Sequence, residues 1–201
     1  MKKIILSVVL AAFSFSAMAN VIGVSTHPFQ AQKQVVNTEF TSNLSSGSGF
    51  GVQARYYNRI NRDWNIDAGA GFSGGERDSR FFLGADYMLI PDYDNQPRIS
   101  FKSFFERTND FNNTFNNIGV APTLSKGFSF WGHEAFPFVA LPVKLGLNSD
   151  SKRYDMISSL ALGITGRLPI EGTTNLIGNI EANLDIDNSY TALLMGVSYP
   201  L

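Results

Sequence analysis

The chain has 201 residues, with 16 basic and 17 acidic side chains and no cysteine. A near-neutral balance gives nucleic acid nothing to bind, and the lack of cysteine excludes disulfides, thiolate chemistry and a lipid-modified cysteine anchor. Aromatic residues make up 13% of the chain, 17 of them Phe, and Gly, Asn and Ser are frequent. That balance favours strands and polar turns, within a length that suits one domain.

Residues 1–19 read as a secretory signal peptide. Lys2 and Lys3 supply a positive start, residues 4–15 an apolar core broken only by Ser7 and Ser14, and Ala17-Met18-Ala19 a small-x-small cleavage site. The expected mature chain, 20–201, is a single domain. Beyond residue 19 no run of about 18 apolar residues occurs, so no spanning helix is expected there.

What recurs instead is alternation at period two, in segments of about ten residues separated by turn residues. Val35 to Ser42 is the weakest such segment. In the next, Phe50, Val52, Ala54 and Tyr56 oppose Gln53, Arg55, Tyr57 and Arg59. After the tight turn Asn61-Arg62-Asp63, Trp64, Ile66, Ala68, Ala70 and Phe72 oppose Asn65, Asp67, Gly69, Gly71 and Ser73. Phe81, Leu83, Ala85, Tyr87 and Leu89 then oppose Gly84, Asp86 and Met88, and Ile99, Phe101, Ser103 and Phe105 oppose Ser100, Lys102, Phe104 and Glu106. Ile118 to Lys126 is a weaker strand. Val139 to Leu147 sets its apolar residues against Ala140, Lys144 and Gly146. Leu160, Leu162 and Ile164 face away from Thr165 and Arg167. Leu176, Ile180, Ala182, Leu184 and Ile186 oppose Asn179, Glu181, Asn183 and Asp185. Leu193, Met195, Val197, Tyr199 and Leu201 oppose Ala192, Leu194, Gly196 and Ser198.

These segments predict an all-β fold: a closed antiparallel up-and-down transmembrane β-barrel of eight to ten strands, ten being favoured. Counting back from the C-terminus, the outward connections fall at residues 187–189, 148–153, 108–117, 75–79 and 42–48. The periplasmic ones fall at 169–173, 129–135, 90–97 and 61–63. Pro122 and Pro142 stand against an unbroken sheet, since proline removes a ladder hydrogen bond, and bulges or shorter strands are expected there.

Alternation alone also fits a soluble sandwich, so the content of each face decides. One face is apolar and nearly free of charge. The other carries Gly, Ser, Ala and Asn with single spaced charges, as the lumen of a narrow barrel would. In hydrocarbon every backbone polar group needs an internal partner, which strands achieve only by closing. Tyr56, Trp64, Tyr87, Trp131 and Tyr199 fall near the periplasmic connections and read as an interfacial aromatic girdle. The last strand ends Gly196-Val197-Ser198-Tyr199-Pro200-Leu201, like the C-terminal signal read by the outer-membrane assembly machinery, with Leu in place of the usual Phe. On these features the chain resembles the small outer-membrane barrels of the OmpA, OmpX and OmpW kind. The resemblance implies contact with outer-membrane lipid and with that machinery as partners.

No pattern for catalysis, cofactor or metal emerges. His27 and His133 are the only histidines and neither has a ligand set or base–nucleophile company. The lumenal face does predict a charge network of Arg55, Asp67, Asp86, Lys102, Glu106, Lys144, Arg167, Glu181 and Asp185, in which the signs roughly balance. A self-paired plug follows from balance, whereas a one-signed lumen would indicate an ion-selective pore. The expected function is a non-enzymatic surface or structural barrel that displays polar loops, above all 108–117. The alternatives are a small passive channel and a soluble periplasmic barrel that binds an apolar ligand.

Overall fold

A computed structural model describes residue 23 and residues 34–45, 49–73, 77–110, 113–130, 133–168 and 176–201. Its strands in chain order are β1 (Gln34–Asn43), β2 (Gly49–Arg59), β3 (Trp64–Ser73), β4 (Arg77–Ile90), β5 (Arg98–Asp110) and β6 (Asn113–Ser125). They continue with β7 (Phe128–Phe130), β8 (His133–Ala140), β9 (Val143–Asn148), β10 (Arg153–Arg167), β11 (Ile177–Asp187) and β12 (Ala192–Pro200). All pairings are antiparallel; β6 pairs with β8 and β9, β10 with β8, β9 and β11, and β1 with both β2 and β12, which closes the sheet.

The twelve segments make a ten-stranded barrel. β7 continues β6, because Ser125↔Phe138 and Phe128↔Ala135 keep one register against β8. β8 and β9 likewise form one stave, because Thr123↔Ala140 and Val120↔Val143 lie on one register against β6. The weak segments at 35–42 and 118–126 are therefore full staves.

Neither proline makes a bulge, but the two differ: Pro122 lies inside β6, whereas at Pro142 the expected shortening appears, β8 ending at Ala140 and β9 starting at Val143. Pro122 sits opposite Phe101 in an unbroken β5–β6 register, and its carbonyl accepts the Leu141 N–H at 3.1 Å. The Pro142 carbonyl accepts the Ser159 N–H at 3.1 Å. Each proline keeps the acceptor half of a reciprocal pair and forfeits the donor half, so the ladder loses single bonds and keeps its register.

The expected loop at 108–117 is corrected. β5 and β6 stay paired as far as Asp110↔Asn113, leaving only residues 111 and 112 to connect them. The Asn and Thr residues that read as a loop bond across the sheet instead: Thr114 Oγ1 donates to Asn109 at 3.1 Å, and Asn116 Nδ2 to Ser149 at 2.8 Å. The expected turn at 129–135 shrinks similarly, since Phe130 pairs with His133.

At the end of the barrel where β1 begins and β12 finishes, the turns are tied by side chains. Asn61 Oδ1 accepts the N–H groups of Asp63 and Trp64, both at 2.9 Å. Lys126 donates to Asp92 and to the carbonyl of Asp94, holding the 91–97 connection against β6. At the far end, Asn148 Oδ1 accepts from Asp150 and Ser151 at 3.0 and 3.1 Å. Residues 1–20, with the expected signal peptide, lie outside the described residues, as do 169–175 and most of 42–48 beyond Ser45.

The barrel is inside-out by comparison with a water-soluble domain. Phe40, Phe72, Leu83, Ile118, Leu145 and Met195 are exposed on the outer wall, whereas Glu39, Gln53, Arg55, Lys102, Glu106 and Glu181 are buried inside. Three lumenal phenylalanines lie across glycines directly opposite them in the ladder: Phe82 on Gly69, Phe104 on Gly119 and Phe138 on Gly163. A Cβ at Gly163 would stand 2.5 Å from Phe138 Cζ, and one at Gly119 2.7 Å from Phe104 Cζ. Pairing a ring with a facing glycine fills the narrow bore without forcing strands apart.

Candidate functional site

Alternation puts every second residue into the lumen, and register then decides which of them meet. Asn37, Arg55, Gly69, Phe82, Glu106, Asn117 and Gly146 are successive cross-strand partners from β1 to β9. In this one rung Gly69 and Phe82 stand between Arg55 and Glu106, and the Arg55 guanidinium lies 4.7 Å from the centroid of the Phe82 ring.

Two ionic clusters grow from the rung. In the first, Arg55 Nη2 lies 3.3 Å from Glu39 Oε2 and Arg55 Nε 3.9 Å from Asp67 Oδ2, while Lys102 Nζ approaches Asp67 Oδ1 at 3.0 Å. Asn37 Nδ2 donates to Glu39 at 2.8 Å, and Arg55 Nη1 donates to the Tyr57 hydroxyl at 2.9 Å. Gly84 leaves the room for this: a Cβ there would come within 2.5 Å of Asp67 Oδ1 and 2.9 Å of Lys102 Cε. In the second cluster Glu106 takes Arg80 Nη2 at 2.5 Å and Lys144 Nζ at 3.2 Å, with Asn117 Nδ2 donating at 3.1 Å. Gln53 joins the two, because its amide donates to Glu39 and accepts from Arg80 Nη1 at 3.3 Å. Apart from these, Arg98 Nη2 pairs with Asp86 Oδ2 at 2.5 Å, and Glu181 accepts from Asn183 at 2.8 Å.

Among the described residues the lumen thus holds the cations Arg55, Arg80, Arg98, Lys102 and Lys144 and the anions Glu39, Asp67, Asp86, Glu106 and Glu181. Buried charges persist only when partnered, and every cation here has a carboxylate within 4 Å. Such a set can brace the wall and fill the bore. It offers no nucleophile with a base, and no three His, Cys, Asp or Glu among the described residues are grouped to hold a metal ion.

Of the residues expected in the network, Arg55, Asp67, Asp86, Lys102, Glu106, Lys144 and Glu181 line the lumen. Arg167 and Asp185 do not join them. Arg167 is at an exposed rim, 3.6 Å from Glu134, with side chains 41% and 60% exposed. Asp185 is exposed at the far end, where its Oδ1 accepts the Ser189 N–H at 2.9 Å. Alternation fixes the face of a residue but not its height along the bore, and both lie where the wall gives way to turns. Glu39, Arg80 and Arg98 were missed. Arg80 and Arg98 continue the lumenal series of Asp86 and Lys102 by even steps, just before the positions where their strands were expected to start. Glu39 lies in the stave with the weakest apolar face.

Four of the expected girdle aromatics, Tyr56, Trp64, Tyr87 and Tyr199, lie in two groups at the end of the barrel where β1 begins and β12 finishes. Tyr199 and Tyr56 flank Val36 in one rung. Trp64 and Tyr87 pair directly, their ring centroids 4.9 Å apart. Trp131 and His27 lie outside the described residues, and His133 is exposed at the start of β8.

No family model and no curated protein matches this chain. Among solved structures it is similar to a de novo designed transmembrane β-barrel, at 14% identity and a TM-score of 0.41, over 85% of this chain and 96% of that one. It is also similar to Ail, the attachment invasion locus protein of Yersinia pestis, at 8% identity and a TM-score of 0.27, over 84% and 95% of the two chains. A complex of Ail with the heparin analogue sucrose octasulfate gives 8% identity and a TM-score of 0.26 over the same shares.

Proposed function

We propose that this protein is a non-enzymatic β-barrel of a bacterial outer membrane, exported by its signal peptide, lipid-facing on its outer wall and braced by paired charges within. The inside-out distribution carries this reading. Phe40, Phe72, Leu83, Ile118, Leu145 and Met195 stand exposed around the wall while Arg55, Lys102 and Glu106 are buried. In water a band of that kind would be a large apolar patch on a monomer, whereas in a bilayer it is matched to its solvent. A soluble barrel that binds an apolar ligand would need the reverse arrangement. The outward rows Tyr199–Val36–Tyr56 and Trp64–Tyr87 suit the membrane–water interface on the periplasmic side. The last strand, whose outward face is Leu193, Met195, Val197 and Tyr199, would be the segment presented to the assembly machinery before it pairs with β1.

The role follows from the bore. A passive channel needs an open path, and the lumenal side chains here, arginines, lysines and rings among them, are buried and paired between adjacent or next-adjacent staves, which favours a closed structural barrel with short polar turns outside. The reading is tested by fractionation and heat modifiability. The mature protein should pellet with outer membranes and migrate differently on SDS gels with and without boiling. Release with the periplasmic fraction and an unchanged mobility would overturn it.

A further inference from the structure

The outer wall carries a depression near the end where β1 begins and β12 finishes. One outward rung there runs Ala135, Gly166, Gly178 and Val197, across β8, β10, β11 and β12. The next rung towards the middle of the barrel runs Ile164, Ile180, Met195 and Phe40, all exposed. Leu168 bounds the other side. It lies over Gly178, where a Cβ would stand 2.7 Å from its Cδ2, and a Cβ at Gly166 would stand 3.0 Å from the Glu134 carbonyl oxygen. The small side chains leave a hollow of about 570 Å³, within the range of about 300–1,000 Å³ that ligand pockets occupy.

The hollow is sorted by polarity. Its outward side chains towards the middle of the barrel are apolar, whereas at the rim it meets His133, Glu134 and Arg167. These residues begin β8 and end β10. Alternation turns Glu134 and Arg167 inward, but both lie at the open end of the bore, where long side chains reach the head-group level. They form a loose pair, Arg167 Nε to Glu134 Oε2 at 3.6 Å, with both side chains exposed. Water already competes for such a pair, so parting it costs little.

We propose that this hollow holds one acyl chain of a phospholipid from the periplasmic leaflet, with the phosphate on Arg167 and a primary ammonium head group on Glu134. The proposal rests on the membrane reading above and adds to it a retained lipid of defined head group.

An apolar wall alone selects no particular lipid, because a tail finds equally apolar neighbours in the bilayer. Retention comes from shape and from the head group. In the hollow a tail is touched from the floor and from both sides, which adds dispersion contacts that a flat wall lacks. The guanidinium offers a fork of donors matched to phosphate, and the carboxylate accepts from an ammonium. Choline has no N–H to donate and a glycerol head group has no cation, so the pair selects ethanolamine. Exposed charges at the mouth also disfavour a second barrel as the occupant, since the core of a protein interface is depleted of charge.

The test is native mass spectrometry of the full mature protein, refolded in detergent and titrated separately with dioleoyl phosphatidylethanolamine, phosphatidylcholine and phosphatidylglycerol. One phosphatidylethanolamine should stay on each barrel after the other two lipids have dissociated. Val197→Trp fills the hollow from the exposed outer wall and should abolish retention while keeping the gel shift. Arg167→Gln should weaken retention about tenfold, the worth of one charge-assisted hydrogen bond at an exposed site. Glu134→Gln should remove the preference for ethanolamine over choline. A barrel that keeps its gel shift but retains no lipid, or retains all three equally, would overturn the proposal. So would undiminished retention in Val197→Trp, or a second copy of the barrel bound in place of lipid. If Val197→Trp loses the gel shift, Arg167→Gln and the head-group comparison decide. If the wild-type protein itself shows no gel shift, it is the membrane reading that fails.

Discussion

Glu106→Gln is the most informative single change to the lumen. Glu106 is 1% exposed and answers two cations: Arg80 at 2.5 Å, itself 3% exposed, and Lys144 at 3.2 Å, which is 25% exposed. Neutralising it leaves Lys144 a route to water but leaves Arg80 buried with only the Gln53 bond at 3.3 Å. Removing one partner of a buried pair costs about 3–5 kcal/mol, and the remaining amide contacts bring the expectation to roughly 3 kcal/mol. Against a typical stability of about 5–15 kcal/mol that is a large loss. Adding Arg80→Met removes the stranded charge, so the double variant should regain most of it, with a coupling of about 2 kcal/mol or more. Denaturant unfolding in phospholipid vesicles, followed by tryptophan fluorescence and by the gel shift, gives both numbers. Glu134→Gln is the internal control, because the Glu134–Arg167 pair is exposed and should change stability by less than about 1 kcal/mol. A Glu106→Gln loss no larger than the control, or a double variant as unstable as the two single losses added, would refute the view that these pairs hold the bore.

Three further changes probe the wall. Gly163→Ala should destabilise by about 1–3 kcal/mol in the same unfolding assay, because the new methyl meets Phe138 Cζ at 2.5 Å and the Ile180 carbonyl at 2.6 Å. Phe138→Leu should rescue it only in part, since the carbonyl belongs to the backbone. Pro122→Ala restores an N–H facing Leu141 and should raise stability by up to about 1 kcal/mol, with slow hydrogen exchange at position 122; a loss would mean the ladder is not continuous there. Lys152→Gly, at a turn position with φ of 56°, should stabilise by about 1 kcal/mol by relieving a left-handed conformation that a side chain disfavours.

The face of each residue was legible in the sequence because a closed barrel with unlike solvents on its two sides forces strict alternation. Every apolar position from Phe50 through Phe105 and from Leu160 to Tyr199 that was read as outward lies on the outer wall. Strand ends were far less legible. Residues 108–117 read as a loop because Asn and Thr commonly break strands, yet above the apolar band a polar residue can serve the ladder as well as a turn, as Asn109 and Thr114 do. The same uncertainty about ends hid Arg80 and Arg98 and misplaced Arg167 and Asp185. Pro142 does interrupt its stave between β8 and β9, but Pro122 misled for another reason. Period-two reasoning counts a lost N–H as a break, whereas register at Pro122 and Pro142 is carried by neighbouring rungs and by the surviving carbonyls.

The buried charges also account for why the register is unique. An apolar lumen would pack more easily, and replacing buried ion pairs by apolar groups is often neutral or stabilising. But a barrel apolar on both faces would tolerate a slip of one residue, because each strand would look the same from either side. In this chain a one-residue slip of β2 would turn Arg55 and Gln53 towards the outer wall and bring Val52 and Tyr56 inside. A cation on the lipid face near the bilayer midplane costs about 2–4 kcal/mol, and the stranded Glu39 and Asp67 add to it. The same applies to β5, where Lys102 and Glu106 would turn outward together. The paired charges thus penalise each alternative register by more than they stabilise the correct one. The lumenal network is therefore better understood as the device that selects this barrel among its slipped competitors than as the main source of its stability.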